Sequence, residues 1–176
     1  MSTSTRRPLR SPDIQRTRWR LDPERSSVEF HTMTFWGLVT VHGHFGRYDG
    51  TLDLREDHAI ELTIDASSVD TKIKLRDRHL RSGDFFDVAN HPQVRFESNS
   101  ATIVGERLKV RGRLQAAGNV MPLDLDATLR RVGDEFEVHA STDADHHKLG
   151  MTQSTLGMIR TPSRLIVRGR LVRDAG

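Results

Sequence analysis

The sequence predicts an all-β protein, a single antiparallel up-and-down β-barrel of about eight strands, with one short helix and a capping turn around residues 68–90. Three observations carry that expectation. Apolar residues recur at every second position through most of the chain, which gives each strand one covered and one wet face. Short links hold turn residues: Tyr48-Asp49-Gly50, Val104-Gly105-Glu106 and Val132-Gly133-Asp134. The alternation breaks once, between Ser67 and Phe96, where a helical pattern and two adjacent aromatics intervene. Closing such a sheet removes its exposed edges. A two-sheet sandwich is the competing arrangement.

In chain order, residues 1–17 read as a disordered basic leader and residues 18–173 as the barrel domain. Residues 1–20 hold six Arg against Asp13, a local charge of +5, so the net +3 of the chain leaves about −2 for the remainder. The basic character therefore belongs to the leader and not to a nucleic-acid-binding face. Strand patterns then follow at Val28 and Phe30; Val39, Val41 and Phe45; Leu52 and Leu54; and Ile60, Leu62 and Ile64. Past the interruption come Val94 and Phe96; Leu108, Val110 and Leu114; Leu123, Leu125 and Leu129; Phe136, Val138 and Ala140; and Leu165, Val167 and Leu171.

The interruption has its own logic. Over Lys72–Gly83, Ile73, Arg76, Asp77 and Leu80 share one side at helical spacing, while Lys74, Arg78 and Arg81 line another. Gly83 is placed to stop the helix. Asp84-Phe85-Phe86-Asp87 then predicts one aromatic plugging the barrel end and the other packing beneath the helix. His91-Pro92 forces an extended entry into the next strand.

Composition excludes several function classes. With no cysteine, the chain offers no disulfide, thiolate metal site or thiol nucleophile. Hydrophobic residues make up 35% and mean hydropathy is −0.55, and no run reaches the 18 or so apolar residues of a membrane-spanning helix. The leader lacks an apolar core of its own, so an export signal is not expected and the expected location is cytoplasmic. Gly-x-Ser-x-Gly elbows and phosphate-cradling glycine loops are missing. Asp84 and Asp87 are better explained as turn and cap residues than as an acid–base pair.

A set of short segments, in this order, resembles a known family. They are Trp19-Arg20-Leu21-Asp22-Pro23, Ser26-Ser27-Val28-Glu29-Phe30, Val41-His42-Gly43-His44-Phe45, Asp49-Gly50 and Asp65-Ala66-Ser67-Ser68-Val69-Asp70-Thr71. Arg76-Asp77-Arg78-His79-Leu80-Arg81-Ser82, Asp84-Phe85-Phe86-Asp87-Val88, His91-Pro92 and Phe96-Glu97-Ser98 follow. Together they resemble the YceI-like family of polyisoprenoid-binding proteins, from about Trp19 to Leu171. The resemblance implies a lipocalin-like barrel with an elongated apolar cavity for an isoprenoid chain, such as a quinone tail or polyprenyl phosphate. The chain departs from many relatives in showing no export signal. Ala117-Gly118-Asn119-Val120-Met121-Pro122-Leu123 also keeps the family's Gly and Pro but lacks a hydroxyl residue.

The expected function is binding or carriage of such a lipid without chemical turnover. The expected lining is the inward apolar set: Phe30, Val41, Phe45, Leu62, Ile64, Phe85, Phe86, Val94, Phe96, Leu108, Val110, Leu125 and Val138. Each buried methylene contributes about 0.8 kcal/mol, so a chain of several isoprene units needs no strong polar contact. Small inward residues, Gly43, Gly112 and Ala140, are expected to leave room. Eight-stranded barrels are also commonly filled by their own side chains, which leaves a filled interaction module as one alternative. Arg78 with Lys74 and Arg81 is expected to meet an anionic head group at the mouth, and the resemblance places His79 beside it.

A small enzyme acting on an apolar substrate in the same cavity, through His79 or a His-bound metal, is the other alternative. His42 and His44 share a strand face that points outward, and no third ligand stands at a recognisable spacing. His146 and His147 read as part of a polar link. Neither cofactor nor metal is expected. The Gly150-Met151 and Gly157-Met158 pairs offer adaptable thioethers near a cavity rim. The expected partners are an isoprenoid lipid or quinone and no nucleic acid, with peripheral membrane contact through the Arg-rich leader and a homodimer left open.

Overall fold

The structure, a computed structural model, describes residues 17–34, 39–55, 59–151 and 160–175. The 1–17 leader, apart from Thr17, lies outside the described residues, as does the Gly157-Met158 pair. The chain runs through β1 (Arg18–Leu21), β2 (Ser27–Thr34), β3 (Val39–Phe45), β4 (Tyr48–Asp53), β5 (Ala59–Asp65) and β6 (Val69–Asp70). It continues through helix α1 (Lys74–Arg81), β7 (Gln93–Val104), β8 (Arg107–Ala116), β9 (Asn119–Val132), β10 (Glu135–Ala144) and β11 (Arg160–Arg173).

All neighbouring strands pair antiparallel, in the order β1-β4-β5-β7-β8-β9-β10-β11, and β11 pairs back onto β1. That closes an eight-stranded barrel. The remaining strands, β2, β3 and β6, extend from β11 at one end. The reason is a pair of breaks. The 3₁₀ turn Pro23–Arg25 separates β1 from β2, and Gly46-Arg47 separates β3 from β4, so each pair is one long strand bent partway.

The break at Gly46 corrects the sequence expectation of a turn at Tyr48-Asp49-Gly50, which instead lies inside β4. Gly50 is there for space: a Cβ on it would stand 3.2 Å from Leu62 and 3.4 Å from Leu21. The hairpins at Gly105-Glu106 and Gly133-Asp134 are present as expected, each with its glycine in the left-handed region. Ala117-Gly118 makes a third, with both residues at positive φ, the geometry that suits strand twist in a two-residue loop.

Two apolar clusters fill the barrel. At the end holding the hairpins after β7 and β9, Trp19, Leu21, Leu52, Leu129, Phe136 and Leu171 pack as a plug. Trp19 and Phe136 meet edge to face at 4.8 Å between ring centres. The larger cluster occupies the other end and contains Phe30, Phe45, Ile64, Val94, Phe96, Leu108, Val110 and Leu114. The segment 71–92, with α1, is anchored beside this second end, where the Ala66 N–H donates to the Pro92 carbonyl at 2.9 Å. Among the described residues no helix is long and apolar enough to cross a membrane.

Candidate functional site

The helical flap is held by polar contacts as well as by the burial of Leu80 and Phe85. Lys72 adopts a left-handed backbone (φ 68°), and its N–H donates to the Asp70 carboxylate at 2.7 Å. The helix therefore starts at Lys74, later than the sequence pattern predicts. It ends at Arg81, where the Ser82 N–H and hydroxyl both donate to the His79 carbonyl, so Gly83 is not the stop. The side that carries Ile73, Arg76, Asp77 and Leu80 is buried only in part. Ile73 is half exposed and the buried residues are Asp77 and Leu80.

Asp77 accepts the Thr71 N–H at 2.8 Å and the Thr71 hydroxyl, and Arg76 donates to Thr71 Oγ1 and to its carbonyl at 2.8 and 2.7 Å. The sequence pattern placed Asp77 on the helix side that carries Ile73 and Leu80 but gave it no role. The available signal was a carboxylate four residues after Ile73 and three before Leu80, where an apolar residue belongs.

Arg81 was expected to meet a head group alongside Arg78. Its guanidinium instead donates to the Ser67 and Val69 carbonyls at 2.8 and 2.7 Å, tying α1 to β6. Arg78 and Lys74 are exposed on the helix. His79 is half-buried, with its ring edge against Phe85 at 5.2 Å.

Below the flap lies an apolar cavity of about 90 Å³. Of the expected lining residues, Phe30, Phe45, Phe85 and Phe86 face it. Phe85 is buried beneath the helix, while Phe86 is half-buried and meets Phe45 edge to face at 5.7 Å. The wall is completed by Leu80, Leu114, Ala116, Ala144, Leu149, Met151 and Leu165, and by three polar residues, Thr32, His146 and Ser163.

The other expected residues are not brought to this cavity. Ile64, Val94, Phe96, Leu108 and Val110 are buried in the surrounding core, and Leu62 and Leu125 pack against it half-buried. Val138 packs against the plug cluster, and Val41 is buried opposite Thr32, its cross-strand neighbour.

The expected glycine space is taken. Phe30 lies over Gly43, and the Phe96 ring lies over Gly112 at 2.6 Å from where a Cβ would be. These glycines admit aromatic rings, not cargo. The free volume is also small beside the roughly 300–1,000 Å³ of typical small-molecule pockets. With one end plugged by Trp19 and Phe136, added room for a long chain has to come from the flap end.

The histidines expected to face outward do so. His31 and His42 pair across β2 and β3 with ring centres 4.2 Å apart, and His44 stands 3.6 Å from Asp70. Among the described residues no group of three or more His, Asp or Glu could hold a metal ion. Asp87, at φ 49°, organises the turn after Phe86: its carbonyl accepts the Asn90 and His91 N–H groups and its carboxylate accepts the Asn90 amide.

The model of the YceI-like domain matches residues 19–169. "Protein YceI" of Salmonella arizonae and of Salmonella paratyphi B are each 37% identical over 103 residues, which cover 56% of this chain. The match spans about half the length of these relatives, 54%. Among solved structures, BcnA of Burkholderia cenocepacia superposes with a TM-score of 0.76 at 16% identity, covering 85% of this chain and 98% of that one. A polyisoprenoid binding domain from Saccharophagus degradans, implicated in plant cell wall breakdown, gives 0.72 at 14% identity, covering 89% and 98%. The YceI protein of Campylobacter jejuni gives 0.70 at 22%, covering 79% and 88%. These structural likenesses are likenesses of fold.

Proposed function

The chain belongs to the YceI-like family, and from that premise we propose that it binds and carries an isoprenoid-type lipid, a quinone tail or polyprenyl phosphate, without turning it over. The observation that carries the reading is the apolar cavity under the flap, eleven of whose fourteen described lining residues are apolar. Apolar burial is non-directional, so such a wall selects hydrocarbon over polar solutes without selecting chain length. A described neighbour of the same fold is a polyisoprenoid binding domain, which supports the same cargo class.

A complete prenyl chain exceeds the free space, so binding requires movement of the flap or of the Phe30 and Phe86 rings. The Asp77 and Arg76 contacts to Thr71 tie the flap to itself and Arg81 ties it to β6, which suits it to moving as a unit away from the core that Leu80, Phe85 and Phe86 cover.

Native mass spectrometry of the purified full chain, followed by solvent extraction, tests the proposal. A prenyl lipid recovered in near-stoichiometric amount, and unchanged after incubation, is the expected result. Chemical conversion of the extracted lipid would overturn carriage without turnover. Failure to retain or take up any prenyl lipid would overturn the cargo.

A further inference from the structure

The cavity holds one polar group whose hydrogen bonding is incomplete. His146 begins the 3₁₀ turn His146–Leu149 between β10 and β11 and is only 7% exposed. Its Nδ1 lies 3.0 Å from the hydroxyl of Ser163 on β11, and both residues line the cavity. Its Nε2 is buried and has no hydrogen-bond partner among the described residues. Buried polar atoms are nearly always paired, and leaving one unmet is costly. An occupant of the cavity can supply the missing partner.

The chemistry of that partner is narrow. None of the described lining residues is Lys, Arg, Asp or Glu, so nothing in the described wall neutralises a phosphate. The surroundings of His146 also favour the neutral imidazole. Burial and the adjacent His147, whose ring centre is 4.8 Å away, push its pKa below the ordinary histidine value, and Asp145 opposes them only in part. A neutral imidazole paired at Nδ1 has one role left at Nε2. If Ser163 donates to Nδ1, Nε2–H donates to a carbonyl. If Ser163 accepts from Nδ1–H, Nε2 accepts from a hydroxyl.

We propose that His146 is the polar anchor of the cavity, where Nε2 holds the uncharged oxygen, carbonyl or hydroxyl, at the head of the lipid, so that the head enters the barrel and the hydrocarbon trails beneath the flap. This deepens the lipid-binding reading and rests on it. The size of the cavity agrees with a compact head such as a hydroxyl: at about 90 Å³ it is below the roughly 150 Å³ known to hold a benzene ring, so a chain or a quinone ring enters only with the movement of the flap or of Phe30 and Phe86. It also separates this role from that of Arg78, which stands exposed on α1 outside the lining.

Three probes of one chain length test the anchor on the full protein: geranylgeraniol, geranylgeranyl phosphate and the matching hydrocarbon without oxygen. Wild type is expected to bind the alcohol tighter than the other two. His146→Leu should weaken the alcohol about tenfold and leave the hydrocarbon unchanged. His146→Gln, which keeps an N–H near the position of Nε2, should restore much of the loss. In ¹⁵N-histidine spectra of wild type, the His146 Nε2 resonance should move with the alcohol and not with the hydrocarbon.

Equal losses for alcohol and hydrocarbon in His146→Leu, a motionless Nε2 resonance, or a phosphate that binds tighter than the alcohol would each overturn the anchor while leaving lipid binding intact. Failure of wild type to bind any of the three would overturn both.

Discussion

The Phe30 ring occupies the space where Gly43, its cross-strand partner, has no side chain: a methyl group there would come within 2.2 Å of the ring Cζ. Phe30 also lines the cavity, so this one glycine sets how far the ring withdraws from the space beneath the flap. Gly112 makes a parallel arrangement with Phe96, but there the added methyl would also stand 2.5 Å from the Glu97 carbonyl oxygen.

These two glycines respond differently to alanine. In Gly43→Ala the ring can swing into the cavity, so a stability loss near the lower end of about 1–3 kcal/mol is expected, together with a clear loss of lipid binding. In Gly112→Ala the obstacle is backbone, and the loss should reach or exceed the upper end of that range of about 1–3 kcal/mol. Denaturant midpoints and prenyl-lipid affinities measured on both variants check this; equal stability losses would contradict it.

Asp77 tests the attachment of the flap. Asp77→Ala removes the acceptor of two Thr71 donors in a buried setting, which costs about 1–3 kcal/mol. Amide exchange should accelerate over residues 71–81 before it does in β8 or β9. Acceleration spread evenly through the barrel would remove the independent flap from the account.

Arg78 and Arg81 have separate roles despite lying three residues apart. Arg81→Ala should lower the melting temperature, because two backbone carbonyls lose their guanidinium donor. Arg78→Ala, at an exposed position, should leave stability within about 0.5 kcal/mol and leave affinity for an uncharged prenyl alcohol unchanged. Thermal melts and alcohol titrations of the two variants distinguish them.

Acid should destabilise the protein in two windows. Burial lowers the pKa of His146, so the unfolded chain binds that proton more readily and stability falls as pH drops below about 6.5. The Arg55 guanidinium, hydrogen-bonded to Asp53, holds that carboxyl down to about 2. Its contribution is complete above the ordinary carboxylate range and is lost as pH falls towards 2. Unfolding titrations of His146→Gln should lose the first slope and those of Asp53→Asn should lose part of the second.

Much of the architecture was legible in the chain before any coordinates. Period-two patterning places Phe30, Phe45, Ile64, Val94, Phe96, Leu108 and Val110 inside, because a pleated strand sends alternate side chains to opposite faces wherever the sheet lies. Two of the glycine hairpins are legible for a similar local reason, since their left-handed residues announce the turn.

What the tertiary structure decided is which inward residues meet free space. Val110 and Phe30 are equally inward by pattern, yet one is sealed in the core and the other borders the cavity, because that depends on where the flap covers the barrel and where the Trp19–Phe136 plug ends. Pairing across distant segments decided the rest. His146 becomes a cavity residue only when Ser163 and Phe30 close around it, and Arg81 becomes a clamp only when the Ser67 and Val69 carbonyls come within reach. Strand alternation is a property of neighbours in the chain, whereas a void and its polar contacts are properties of packing between segments far apart in it.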